Sequence, residues 1–155
     1  MREVREKLLE ELRALERELR VELPKEIKSA LGMGDLRENA EYHAALERQG
    51  YVRARIGQLR NRLSELGTMS VGQIPTDRVG LGSTVTLLDL DSNEELRYEL
   101  VLPEVANLAQ GLVSVASPIG RGLLDRRPGD QVTIQIPSGR RRFDVLDVRT
   151  VHQKE

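Results

Sequence analysis

The chain lacks cysteine entirely and contains few aromatic residues. Without cysteine it can form no disulfide, no Cys-based zinc site and no thiolate nucleophile. Three tyrosines and one phenylalanine among 155 residues cannot line a large aromatic pocket. The composition therefore excludes several classes of enzyme site before any motif is considered.

Long apolar runs and a strong net charge are also missing. No apolar stretch approaches the roughly 20 residues that cross a bilayer, and the first residues are charged rather than signal-like. The formal net charge is −1, although 32% of the residues are charged. This balance argues against a protein that binds nucleic acid through bulk positive charge. We expect a cytoplasmic protein with no membrane association.

The chain does contain two long segments with helical periodicity. The first, from Arg2 to about Leu31, has leucines spaced four, three and four residues apart: Leu8, Leu12, Leu15 and Leu19. Its spacing changes near Pro24, where we predict a bend. The second, from Asp35 to about Leu66, alternates spacings of three and four along one seam: Tyr42, Ala45, Gln49, Val52, Ile56, Leu59, Leu63 and Leu66. Two such helices joined by a short turn predict an antiparallel coiled-coil hairpin.

Turn-forming residues mark a change of structure after the second helix. Residues 68–82 are rich in Gly and Pro and are predicted to be a linker, with one short strand near Val71 to Ile74. Alternating apolar runs follow within 84–88, 96–101, 112–115, 131–136 and 142–148. A short helix is expected after Ser117 and Pro118, which suit a helix cap and first turn. The predicted fold class is α+β, with a coiled-coil domain at 1–67, a linker at 68–82 and a small, mainly antiparallel β domain at 83–155.

The turn between the helices, residues 34–42, is the first candidate site. Asp35 and Glu38 stand three residues apart at the predicted start of the second helix, and hence on one face. The same spacing occurs in a capping box, whose side chains bind backbone N–H groups. Alternatively, two exposed carboxylates can form half of an Mg²⁺ site whose other ligands come from a partner. The local sequence leaves both interpretations open.

The second candidate site is a run of arginines with no acidic residue between them: Arg48, Arg53, Arg55, Arg60 and Arg62. With Val52 and Ile56 in the seam, all five fall at heptad positions e and g, which flank it. There they can pair with acids of the first helix such as Glu11, Glu18 and Glu22. They can also form a basic strip that holds a phosphate backbone.

Several segments of the chain resemble a known family. The tip reads Gly34-Asp35-Leu36-Arg37-Glu38-Asn39-Ala40-Glu41-Tyr42-His43-Ala44-Ala45, followed by Gln49-Gly50. Downstream segments are Gly82-Ser83-Thr84-Val85, Leu88-Asp89-Leu90-Asp91 and Ser117-Pro118-Ile119-Gly120-Arg121-Gly122-Leu123-Leu124. Together they resemble the bacterial Gre transcript-cleavage factors, most closely the GreA branch.

The resemblance implies a coiled coil joined to a domain similar to the FK506-binding-protein fold. It also implies that the coiled coil enters the secondary channel of bacterial RNA polymerase and stimulates the polymerase's Mg²⁺-dependent cleavage of backtracked RNA. The protein would then not be an enzyme itself. Asp35 and Glu38 would be the catalytic carboxylates, holding Mg²⁺ jointly with the polymerase, and no ion is expected in the free protein.

Further roles follow from the same resemblance. Asn39, Glu41 and Tyr42 would shape the tip, and a subset of the five arginines would contact the nascent RNA 3′ end. The surface that docks to the polymerase would include Ser117, Pro118 and Arg121. We expect a monomer.

Three other interpretations stay open. A relative could occupy the polymerase channel and inhibit transcription without stimulating cleavage, although the intact pair of Asp35 and Glu38 argues against this. The implied C-terminal fold suggests a prolyl isomerase, but Tyr98 and Phe143 alone cannot line such a pocket. The third is a coiled-coil adaptor whose tip acids only cap a helix.

Overall fold

The computed structural model describes residues 2–32 and 39–154. The described chain divides between Met69 and Ser70 into two compact units. The N-terminal unit is helical and the C-terminal unit is built on a β-sheet, which confirms the predicted α+β class. Residues 70–82 belong to the C-terminal unit, where Val79 is fully buried. Val71–Gln73 forms a 3₁₀ helix, so the short strand predicted there is wrong.

Two helical segments form the N-terminal unit. The first comprises α1 (Arg2–Arg17), a π-helical turn (Glu18–Glu22) and α2 (Leu23–Leu31). The second is α3 (Ala40–Thr68), whose 29 residues span about 43 Å. Every predicted seam residue of α3 is buried or half-buried, which confirms the heptad assignment. None of the helices in the described ranges is long and apolar enough to cross a membrane.

The π-helical turn keeps one apolar face in contact with α3 beyond Pro24. Leu8 and Leu15 are seven residues apart, as are Leu23 and Ala30, but Leu15 and Leu23 are eight apart, and all four are buried. One residue more than a heptad turns an α-helix about 100° further around its axis. The wider π-helical turn absorbs the extra residue. The change in apolar spacing that the sequence shows near Pro24 therefore falls in the π-helical turn just before that residue.

The second helix begins later than predicted. Asn39 has an extended backbone and caps α3, so this helix starts at Ala40 rather than at Asp35. Asp35 and Glu38, with the rest of 33–38, lie outside the described residues. In the sequence, both carboxylates therefore precede the cap of α3.

The C-terminal unit contains a sheet to which residues 39–154 contribute five strands. They are β1 (Thr84–Asp89), β2 (Glu95–Val101), β3 (Leu112–Ser114), β4 (Gln131–Ile136) and β5 (Gly139–Arg149). Their order is β3-β2-β1-β5-β4, antiparallel except for the parallel pair β2 and β3. All five correspond to the predicted runs.

One face of the sheet packs against a short helix, α4 (Pro118–Leu123), which follows Ser117 as predicted. The core between them consists of buried aliphatic side chains around Phe143: Val79, Val85, Leu87, Leu100, Val113, Leu123, Val132, Ile134 and Val145. Burial of this apolar surface is the main favourable contribution to folding of the unit. The other face of the sheet carries polar and charged side chains.

A buried carboxylate fastens the turn after β1 to β5. Asp89 Oδ1 accepts hydrogen bonds from the backbone N–H groups of Asp91 and Ser92 at 2.9 and 3.2 Å, and its Oδ2 accepts one from Arg141 at 2.9 Å. The bond from Arg141 is the main reason that the pKa of Asp89 is lowered, and it raises the pKa of Arg141. This contribution to stability is therefore present above the ordinary pKa of an aspartate and is lost as the pH falls through the lowered folded value.

We expect Asp89→Asn to lower the Tm of the C-terminal unit at neutral pH, because the ionised acceptor of Arg141 is lost. The difference from wild type should shrink as the pH falls below about 4, where the unfolded aspartate begins to bind protons, and it should disappear once the pH passes below the lowered folded pKa. Thermal unfolding followed by circular dichroism from neutral to strongly acidic pH measures both effects.

Asp91→Asn is the matched control for this prediction. Asp91 accepts a bond from Arg142 at 2.9 Å, but both side chains are half exposed, so the pair contributes little. An equal loss of Tm in the two variants, or a difference that does not change with pH, would contradict the role assigned to Asp89.

Candidate functional site

Asn39 connects the ends of the two helical segments beside the tip. Its Oδ1 accepts a hydrogen bond from the backbone N–H of Tyr42 at 3.0 Å, and its Nδ2 donates to the carbonyl oxygen of Ala30. One side chain thereby satisfies a free N–H of α3 and a free carbonyl near the end of α2. Segment 33–38, which contains Asp35 and Glu38, is thus connected to two chain ends that are fixed to each other.

The capping-box interpretation of the acidic pair is not required to explain the start of α3. A capping box satisfies the first free N–H groups of a helix. Here the N–H of Tyr42 bonds to the Asn39 side chain, and the N–H of His43 bonds to the Asn39 carbonyl at 3.1 Å. Asn39 therefore caps α3 without Asp35 or Glu38, and the cap does not explain the presence of these two acids.

The other two predicted tip residues lie in the first turn of α3. Glu41 is exposed, and a negative charge is favourable there because the helix N-terminus carries positive partial charge. Tyr42 is half-buried, and its ring meets that of His43 edge to face, with 5.8 Å between the centroids. Within residues 2–32 and 39–154, no three His, Cys, Asp or Glu side chains come together in a way that could hold a metal ion.

Three of the predicted arginines form ion pairs across the hairpin, and two of them do so through paired hydrogen bonds. Arg48 binds both carboxylate oxygens of Glu18 at 2.7 and 2.8 Å, and Arg55 binds those of Glu11 at 2.8 and 3.0 Å. These hydrogen bonds are the main reason that the pKa of each glutamate is lowered. From Arg48 to Arg55 the chain advances by seven residues, whereas their partners go back by seven, from Glu18 to Glu11. The two helical segments are therefore antiparallel. The predicted pairing across the helices is confirmed for these two arginines and, at 3.6 Å, for Arg60 with Glu16.

Arg53 differs from the other four arginines. It is exposed and makes no ion pair with any residue that the structure describes, whereas Arg60 lies 3.6 Å from Glu16 and Arg62 binds a glutamate of its own helix. The register explains the difference. Allowing for the extra residue of the π-helical turn, the position equivalent to Glu16 and opposite Arg53 is Pro24, which has no side-chain acceptor. Arginines at equivalent heptad positions thus differ in whether they form an ion pair and in how exposed they are.

A groove of about 490 Å³ lies between α2 and α3 below the tip. Its lining includes two cations, Lys25 and Arg48, and two anions, Glu26 and Glu41. The charges are balanced, and Arg48 is already bound to Glu18. The lining residues that the structure describes therefore carry no excess of positive charge that would attract a phosphate backbone.

The predicted docking residues lie around the start of α4. Ser117 Oγ accepts a hydrogen bond from the N–H of Gly120 at 3.1 Å and donates to the carbonyl of Ser114 at 2.7 Å. A Cβ atom on Gly120 would lie 1.9 Å from that carbonyl oxygen, so this position requires glycine. Pro118 occupies the first turn, and Arg121 is exposed. The cap and the glycine fix α4 next to β3, while Arg121 presents its charge to solvent.

The two aromatic residues considered for a prolyl isomerase pocket belong to the core. Phe143 is fully buried, and Tyr98 is half-buried against the same cluster. Arg141 covers the Phe143 ring, with its guanidinium carbon 4.9 Å from the ring centroid. Phe143 is therefore unavailable to line a pocket for a proline side chain.

A coiled-coil hairpin with an acidic tip segment, followed by a small β domain, defines a distinctive class of two-part protein. Residues 2–66 match the family described as transcription elongation factor, N-terminal, and residues 74–150 match transcription elongation factor, GreA/GreB, C-term. The chain belongs to the GreA/GreB family of transcription elongation factors. This confirms the family predicted from the tip motif.

Relatives of this chain are similar to it over most of their length. Transcription elongation factor GreA of Desulfotalea psychrophila (strain LSv54 / DSM 12343) is 45% identical over 144 residues, 93% of this chain and 89% of that protein. The GreA of Alkalilimnicola ehrlichii (strain ATCC BAA-1101 / DSM 17681 / MLHE-1) is 42% identical over 145 residues, covering 93% and 92%. Among solved structures, GreA factor homolog 1 (Gfh1) of Thermus thermophilus is 30% identical and covers 94% of both chains with a TM-score of 0.43.

Asn39 offers a test of how the hairpin is closed. Asn39→Ala removes both the cap and the bond to Ala30, so we expect the free energy of unfolding of the N-terminal unit to fall by at least ~1 kcal/mol. Asn39→Asp keeps the acceptor for Tyr42 and loses the donor, and should cost less. Urea unfolding followed by far-ultraviolet circular dichroism measures the difference.

Asn61→Ala is the control, because Asn61 is an exposed residue within α3 and alanine is the better helix former. It should leave stability unchanged or slightly raised. A loss for Asn39→Asp as large as that for Asn39→Ala would contradict the capping role and assign the stabilisation to the Ala30 bond.

Proposed function

We propose that this protein acts in the cytoplasm as a monomer, binds bacterial RNA polymerase and stimulates the polymerase's own cleavage of backtracked RNA. In this account the protein is not itself an enzyme. The observation that carries the proposal is the presence of Asp35 and Glu38 between the two helices of a chain that belongs to the elongation-factor family. The hydrogen bonds of Asn39 support it, since they join the chain ends on both sides of the acidic segment.

Asp35 and Glu38 are assigned as carboxylate ligands for Mg²⁺ held jointly with the polymerase. Their oxygen atoms suit this ion, which often takes only one or two carboxylates from a protein. Two carboxylates alone bind it weakly, so the free protein is not expected to retain it. When bound, the ion would help to stabilise the attacking and leaving oxygens of the RNA phosphodiester. The contribution of this chain is to deliver the two ligands.

The dimensions and packing of the hairpin support this delivery role. The length of α3, about 43 Å, allows the acidic segment to lie far from the base of the hairpin. A buried seam extends from Ala45 to Leu66, and ion pairs at Arg48 and Arg55 flank it. A hairpin held together at its interior and edges can position a tip more accurately than a flexible loop.

Arg53 is the first candidate among the five arginines for contact with the nascent RNA 3′ end. Arg48 and Arg55 are already bound to glutamates, and a phosphate would have to compete with these carboxylates. Arg53 is exposed and makes no ion pair with the described residues, and Arg60 is held only loosely at 3.6 Å. We therefore assign the RNA contact to Arg53, with Arg60 second.

The first test is RNA cleavage in a stalled, backtracked elongation complex. Wild type should shorten the transcript from its 3′ end in a Mg²⁺-dependent reaction. Asp35→Asn and Glu38→Gln should reduce this stimulation by about tenfold or more, because each removes an anionic ligand without removing the side chain. Binding of each variant to the polymerase is measured in parallel.

Glu47→Gln is the matched control, since Glu47 is an exposed acid on α3 away from the tip. It should stimulate cleavage as wild type does. If wild type binds the polymerase and cleavage does not rise, the proposal fails, and the protein is a channel-binding inhibitor or an adaptor.

A second test compares two neighbouring arginines. Arg53→Gln should leave the stability of the hairpin within about 0.5 kcal/mol of wild type yet reduce cleavage stimulation, because its proposed partner is RNA. Arg55→Gln loses the bond to Glu11 and should lower the free energy of unfolding by up to ~1 kcal/mol, a modest loss because exposed ion pairs are screened by solvent. Its effect on cleavage should be smaller than that of Arg53→Gln. Urea unfolding and the cleavage assay measure the two quantities. Full stimulation by Arg53→Gln would remove Arg53 from the proposed RNA contact.

A further inference from the structure

Three cationic side chains converge on an open cavity of about 480 Å³ in the C-terminal unit. Arg97, Arg149 and Lys154 line it together with Glu99 and Thr84. Residues 110–112, at the start of β3, complete the lining. The cavity lies over the polar face of the sheet, opposite the core, and we refer to it as the cationic cavity.

The strand register accounts for this convergence. Thr84 of β1 pairs with Glu99 of β2 on one side and with Arg149 of β5 on the other, so the three side chains lie on one face. Arg97 is two residues from Glu99 on the same strand and therefore shares that face. Lys154 reaches the site from the C-terminal segment, with its Nζ 2.9 Å from Glu99 Oε1. Strands distant in sequence thus bring the charges together.

The lining has an excess of positive charge. Three cations face one carboxylate, Glu99, and that carboxylate is bound to Lys154. Arg97 and Arg149 form no ion pair within the described part of the chain. Two further acids lie on the same face beside the lining: Glu95 is two residues from Arg97 on β2, and Asp147 of β5 lies across Thr86 from Arg97. Neither forms an ion pair with Arg97 or Arg149 within the described part of the chain. Two guanidinium groups therefore remain available to an external anion.

We propose that the cationic cavity binds a small phosphate-class oxyanion such as inorganic phosphate or pyrophosphate. Guanidinium groups match phosphate oxygens with paired N–H donors, and the Thr84 hydroxyl can donate a further bond. No aromatic ring is present among the described lining residues, so the site recognises the phosphate group rather than a nucleobase. Its volume lies within the range of about 300–1,000 Å³ that is usual for small ligands. This site is separate from the hairpin tip and does not depend on the function proposed for it.

Glu99 gives the proposal a directional test. The Glu99 carboxylate forms an ion pair with Lys154 and repels an incoming anion, so it should oppose binding of phosphate or pyrophosphate. Glu99→Gln removes that repulsion and frees the lysine for the ligand. A variant that strengthens binding is more informative than one that weakens it, because a damaged fold would not bind the anion more tightly.

The probe is pyrophosphate, titrated into the full-length chain without divalent cations and at constant ionic strength. Changes in the amide resonances of Thr84, Gly111 and Leu112 report on the site in ¹H–¹⁵N spectra. We expect saturable shifts, an affinity about tenfold weaker in Arg97→Gln and in Arg149→Gln, and one several-fold stronger in Glu99→Gln. Arg140→Gln is the matched control, since Arg140 is an exposed arginine of β5 outside the cavity.

Three results would overturn the proposal. The shifts could fail to saturate, or Arg140→Gln could weaken binding as much as the cavity variants do, which would reduce the effect to general charge attraction. Citrate at the same ionic strength could bind as tightly as pyrophosphate, which would exclude a phosphate-class site. If one arginine variant does not fold, the other and Glu99→Gln still decide the outcome.

Discussion

The N-terminal unit depends on a single apolar seam between antiparallel helical segments. Leu8, Leu15, Leu23 and Ala30 on one side meet the seam of α3, whose Val52 is fully buried, on the other. That contact holds only if the first segment presents the same face before and after residue 20, and the π-helical turn meets this requirement by absorbing one residue. The flanking ion pairs follow from the seam, because the register that buries the leucines also sets Glu11 and Glu18 opposite Arg55 and Arg48.

The same register determines which surface groups remain available for function. Arg53 has no acidic partner among the described residues, because the residue opposite it, Pro24, carries no acceptor. Asn39 joins the helices near the tip, where its amide accepts a hydrogen bond from an N–H of α3 and donates one to a carbonyl of α2. The carboxylates of Asp35 and Glu38 are thus attached to a support whose stability comes from apolar burial and not from the acids themselves. In the C-terminal unit, strand register likewise places Arg97 and Arg149 on the outer face of the sheet, where neither forms an ion pair with a described residue.

Much of this fold could be predicted from periodicity. The seam of α3 and the five strands obey repeats of 3.5 and 2 residues over enough positions to be unambiguous. Features that depend on contacts between distant residues could not be predicted in this way. The start of α3 at Ala40 depends on Asn39 reaching Ala30, nine residues earlier. The difference between Arg53 and Arg55 depends on which residue of the opposite helix lies across from each, and the cationic cavity depends on four strands and the C-terminal segment. The tip motif, in contrast, identified the family by direct resemblance.

The proposed function requires the tip acids to bring a metal ion to the RNA polymerase active site. The measurement that tests this is the Mg²⁺ dependence of transcript cleavage in a backtracked complex, with and without this protein. We expect the protein to lower the Mg²⁺ concentration that gives half-maximal cleavage, and we expect Asp35→Asn to abolish this shift while still binding the polymerase. A higher cleavage rate with an unchanged half-maximal Mg²⁺ concentration would contradict this proposal, because the acids would then act by some means other than holding the ion.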